Sequence, residues 1–101
     1  MYREKSKSPL LILLEENLTA GLAIAQACHA AYEFGRGQPD VETNGYIYIL
    51  RASRKDLHHF QKAFTFEMIP YVAFHEPAMD NKITALSVSC NPNMVKQLAK
   101  Y

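Results

Sequence analysis

The chain has 101 residues, 49% of them hydrophobic and 21% charged, which allows one domain with one core. A net charge of +1 excludes a protein that holds nucleic acid through bulk positive charge, so any such contact needs a local basic patch. Arg3, Lys5, Lys7, Arg51, Arg54, Lys55 and Lys62 are the candidates for one, and a solvated surface is the plainer reading of them. Cys28 and Cys90 lie far apart, each in an apolar context, and form neither a disulfide framework nor a metal-ligand spacing.

Residues 1–8 are polar and charged and read as a loose lead-in, with a single domain over 9–101. Leu10 to Leu14 is a continuous apolar run, which predicts a strand buried on both faces. Five apolar residues are too few for a signal peptide or a membrane span, so the expected location is cytoplasmic, without membrane contact. After a loop offering Asn17 or Thr19 as N-cap, an alanine-rich stretch predicts a helix to about Phe34, closed by Gly35, Gly37 and Pro39. That helix is nearly devoid of charge, so burial on several sides is expected.

Gly45 to Leu50 has strong strand propensity. Ser53 to Asp56 resembles a capping box and opens a second helix with a stripe of Leu57, Phe60 and Phe64. His58 and His59 fall off that stripe and read as exposed rather than as metal ligands. Met68 to Phe74 predicts a third strand, His75 to Asn81 a loop, and Lys82 to Cys90 a fourth strand antiparallel to the third. Asn91-Pro92 starts a short last helix docked by Val95, Leu98 and Tyr101. The aromatic residues Tyr46, Tyr48, Phe60, Phe64, Phe66, Tyr71 and Phe74 are expected mostly in the core. The order β-α-β-α-β-β-α predicts an α/β fold: a mixed four-stranded sheet with helices on both faces.

Two polar residues interrupt the first helix. Gln26 and His29 stand three apart, so both point the same way and need partners or a pocket. A histidine in such a place often does no more than hydrogen-bond the backbone and seat its helix. Cys28 has no separate activating partner and is not expected to be a nucleophile.

Gln26-Ala27-Cys28-His29-Ala30-Ala31 resembles the Ala-Ala-Gln-x-x-His-Ala signature of type 2 peptidyl-tRNA hydrolases, most closely the divergent "peptidyl-tRNA hydrolase domain-containing" branch. Phe74-His75-Glu76-Pro77 and Ile83-Thr84-Ala85-Leu86 resemble a second block of that family. The resemblance implies the family's fold, homodimers, and hydrolysis of the ester between a peptidyl group and tRNA without metal or cofactor. It implies Gln26, His29, Glu76 and Thr84 as the catalytic set and Gly21, Asp80, Lys82 and Arg51 as candidate ligand contacts. This chain departs from the pattern at Leu22, where the family has a lysine, and Ala78 to Lys82 replaces the family's Gly-Arg-Thr segment. Without that cation a binding module for a nucleotide, another small ligand, RNA or a protein is the rival reading. A minimal homodimer whose exposed face carries the function is a third.

Overall fold

A computed structural model describes residues 7–98, apart from the side chains of Pro92 and Leu98. Arg3, Lys5 and Tyr101, and the packing expected of Leu98, lie outside what is described. Four strands form one sheet: β1 (Leu10–Glu15), β2 (Ile47–Ala52), β3 (Tyr71–Glu76) and β4 (Lys82–Ser89). Their order across the sheet is β2-β1-β4-β3, with β1 parallel to β2 and antiparallel to β4, and β3 antiparallel to β4. Three helices accompany them: α1 (Ala20–Gly37), α2 (Arg54–Phe66) and α3 (Pro92–Leu98). No helix among the described residues is long and apolar enough to cross a membrane.

The core has two layers, one on each side of the sheet. Leu10, Ile12 and Leu14 meet Ala23, Ala27, Ala30 and Phe34 of α1. Leu11 and Leu13 meet Leu57, Phe60 and Phe64 of α2, and Val95 of α3 joins this second layer. β1 is thus buried on both faces, as its unbroken apolar run requires. The stripe of α2 is buried as its spacing predicts, and Ser53 caps it by accepting a hydrogen bond from Asp56 N at 3.0 Å. Ser53→Ala is expected to cost about 1 kcal/mol, read as a melting temperature lower by roughly 4–8 °C.

Several expectations need correction. α1 runs through Gly35 and ends at Gly37, because its last turn still packs Phe34 on the sheet. Only one stripe of it is buried; Leu22, Ile24, Cys28 and Tyr32 are exposed, so Cys28 does not pack. Cys90 does, and burial pushes its thiol up to about 11. Tyr46, Tyr48 and Phe66 are exposed too, while Phe60 and Phe64 are buried. For the tyrosines the reason is topological: β2 is an edge strand, and α2, on whose side of the sheet Tyr48 lies, packs mainly on β4 and β1; Phe66 is the last residue of α2, off its buried stripe. β2 and β3 each begin later than their propensity suggested, and Pro70 lies just before β3. The end of the lead-in is held in place: Ser8 O accepts from Asn44 N at 3.0 Å, and Lys7 pairs with Glu42.

Candidate functional site

The carboxyl ends of β1, β2 and β3, the start of β4 and the first turn of α1 all lie at one end of the sheet. In open α/β sheets this is the end where ligands bind.

β3 and β4 form a hairpin interrupted by a β-bulge. Phe74 stands opposite Ala85 and His75 opposite Ile83, which leaves Thr84 as the extra residue. A bulge re-aims a side chain. Strict alternation would set Thr84 beside Leu86 on the α2 side; the bulge turns it, with Ala85, toward α1. There its hydroxyl donates to Gln26 Oε1 at 3.1 Å.

Gln26 is 1% exposed, in the buried stripe of α1. With its carbonyl taken by Thr84, its amide nitrogen faces the other way and donates to Glu76 Oε1 at 2.5 Å. Glu76 ends β3, and its second oxygen accepts from Ala78 N at 3.1 Å. Thr84, Gln26 and Glu76 thus form a relay between residues 50 and 58 positions apart in sequence. No buried side-chain polar atom among the described residues lacks a partner.

The turn after Glu76 is built to hold that carboxylate. Pro77–Met79 is a single 3-10 turn, and Glu76 O accepts from Asn81 N at 2.9 Å. Asp80 and Asn81 take left-handed backbone at φ 57° and 58°, which these two residue types tolerate best after glycine. The Ala78 N–H foremost, then the Gln26 amide and the nearby His29 ring, hold the Glu76 carboxyl below the ordinary carboxylate range. A lowered folded value stabilises the native state above the ordinary value of 4.5, and that stabilisation is lost as pH falls through the folded value. The stability difference between the native chain and Glu76→Gln is therefore expected to narrow between pH 6 and pH 3 in urea titrations.

His29 lies on the exposed flank of α1, stacked on Phe74 with ring centroids 4.9 Å apart and planes at 1°. The stack fixes the ring plane and leaves its edge open. The structure therefore brings Gln26, His29, Glu76 and Thr84 together. Phe74, the platform under His29, and the Ala78 N–H were missed as site residues; the strand propensity of Phe74 pointed only to packing.

The other candidates lie around this centre or away from it. Gly21 and Leu22 sit in the first turn of α1, Leu22 one turn before Gln26 and 38% exposed. Nothing lies within 4 Å of where a side chain at Gly21 would begin, so no close approach within the chain requires glycine there. Asp80 shapes the turn, and Lys82 stands exposed opposite Glu76 in the ladder. Arg51 is on the far edge, three strands or roughly 14 Å across the sheet. Its Nη1 lies 3.2 Å from each of the carbonyls of Glu15, Glu16 and Leu18, so it pins the loop before α1 and does not replace the missing lysine. Of the described candidates for a basic patch, Arg54 holds Ile83 O at 3.4 Å and Lys7 holds Glu42. No cluster of metal-binding side chains occurs among the described residues.

No family model and no curated protein sequence matches this chain. A solved structure of a protein of unknown function from Agrobacterium tumefaciens strain C58 is similar, at a TM-score of 0.74 and 8% identity. The alignment covers 95% of this chain and 96% of that one. The two chains share an α/β fold, and the likeness extends to the fold alone.

Proposed function

We propose that this chain is an ester hydrolase of the type 2 peptidyl-tRNA hydrolase kind, with that family's fold. Its substrate would be the ester joining a peptidyl or N-blocked aminoacyl group to tRNA. The observation that carries this reading is a Glu76 carboxylate near the exposed ring of His29 and held by a Gln26 amide whose orientation is set by a bulged Thr84.

The roles follow from the geometry. Glu76 is ionised at neutral pH and, with His29, offers acceptors for one water. His29 takes a proton from that water as its oxygen attacks the ester carbonyl. The same proton passes to the ribose oxygen when the carbon–oxygen bond breaks. Gln26 is buried and acts as a positioning residue: its amide, oriented by Thr84, holds the Glu76 carboxylate in place. The first turn of α1 supplies backbone N–H groups for a phosphate of the tRNA end, since the Thr19 side chain does not cap them.

A binding module is the second reading, and Leu22 favours it: the exposed side chain one turn before Gln26 is apolar, where a cation would help an anionic substrate. Release of the acyl group from an N-blocked aminoacyl-tRNA separates the two. Turnover above the uncatalysed rate is expected. Its absence from a folded preparation, at enzyme equal to substrate, would sink the hydrolase reading and leave the binding module.

A further inference from the structure

Among the described strands β3 pairs with β4 alone, and it supplies the candidate site with two side chains. Phe74 carries the His29 ring and Glu76 bonds Gln26, both on the α1 face. The backbone groups of successive strand residues alternate in direction. Glu76 O accepts from Asn81 N at 2.9 Å and Val72 O from Ser87 Oγ at 3.5 Å, so Val72, Phe74 and Glu76 turn theirs toward β4. The Ala73 carbonyl and the His75 N–H therefore turn outward, one on each side of Phe74. A parallel strand meets such a pair in one way: a single residue beside Phe74 donates its N–H to Ala73 O and accepts from His75 N–H.

We propose that the ester-bearing residue of the substrate takes that place, as one more strand residue on the outer edge of β3, with the His75 N–H donating to its ester carbonyl. The inference rests on the hydrolase reading above and adds to it the group that meets the developing negative charge.

Direction, face and charge agree with that placement. A parallel residue turns its carboxyl side toward the end of β3, the end of the sheet where the first turn of α1 also lies. The leaving ribose therefore heads for the N–H groups assigned to the tRNA phosphate. A carbonyl that bonds sideways to β3, about 4.8 Å away, lies near the plane of the sheet and turns one flat side toward α1. His29 and Glu76 are on that side, so the water they hold meets the carbonyl carbon from above its plane. As the water oxygen bonds to carbon, the carbonyl π pair moves onto the oxygen that faces the His75 N–H. A strand fixes that donor in advance, so it costs no reorganisation. The pair returns to carbon when the bond to the ribose oxygen breaks. Only the backbone of the substrate residue is touched, so most side chains serve equally well. Proline is the exception, because it has no N–H for Ala73 O.

Two comparisons test this. N-acetyl-N-methylalanyl-tRNA lacks the N–H that N-acetylalanyl-tRNA offers to Ala73 O, and its kcat/KM is expected to be lower by about ten-fold. On the protein, His75→Pro deletes the backbone N–H at an edge position, where strands tolerate proline, while His75→Ala keeps it. With native circular dichroism in both, His75→Pro is expected to release the acyl group about 10²–10³-fold more slowly than His75→Ala, the usual cost of one oxyanion donor. If His75→Pro does not fold, the substrate pair decides alone. Equal turnover of the two substrates, or of the two folded variants, overturns the proposal and leaves the hydrolase reading standing. A chain with no turnover is titrated instead with N-acetylalanyl-adenosine in which an amide replaces the ester. The His75 amide proton is then expected to shift downfield and to exchange more slowly at saturation. A His75 amide that does neither overturns the proposal by a readout independent of hydrolysis.

Discussion

His29→Ala is expected to lower the rate of acyl release by about 10²–10⁴-fold, the usual contribution of a positioned proton-transfer group. The same variant is expected to unfold within about 0.5 kcal/mol of the native chain, as for an exposed side chain outside any network. His29 is exposed and its main contact is the stack on Phe74, so little else depends on it. That pairing of a large kinetic effect with a small thermodynamic one is what distinguishes a proton carrier from a residue that seats its helix. Glu76→Ala removes the water's second acceptor but also the anchor of the turn to Asn81, so its kinetic loss is expected to come with a lower melting temperature. A His29→Ala variant that hydrolyses at the native rate would remove His29 from the mechanism.

Gln26→Ala is expected to destabilise the fold by about 2–4 kcal/mol, measured by urea unfolding. Two losses add. The amide leaves a void between α1 and the β3–β4 hairpin, and the hydroxyl of Thr84, itself fully buried, loses the acceptor it bonds. Gln26→Glu probes the same place with different physics: it keeps the shape but sets a second carboxylate against Glu76. Its deficit is expected to shrink as pH falls, when one of the two acids takes up a proton and can donate to the other. A Gln26→Ala chain as stable as the native one would mean that α1 is held by its alanine stripe alone.

Much of this architecture is legible in the residue order. The five-residue run at Leu10 can be buried only between two layers, and the spacing of Leu57, Phe60 and Phe64 defines one face of α2. Gln26 is conspicuous because it is an amide in an alanine-rich helix, and a buried amide needs partners. What the order conceals is anything that depends on lateral position in the sheet. Gly45 to Leu50 carries the propensity of a core strand, and nothing in its residues says that it lies at the edge. Thr84 shows the same limit more locally. Alternation carried back from Val88 and Leu86 predicts the wrong side for it, because a bulge depends on the partner strand as well as on the bulged one. Arg51 likewise looks like a free cation until the loop before α1 is seen folded around it.

The strand order carries a kinetic burden. β1 finds its antiparallel neighbour 79 positions later, Leu10 against Ser89 (89 − 10), and α1, β2, α2 and β3 all intervene. At about 5–20 residues per second of synthesis, one side of that apolar strand waits roughly 4–16 s before its mate exists. Closing such a distant pairing also slows folding of the finished chain. During translation Leu10 to Leu14 is therefore the segment most in need of a chaperone.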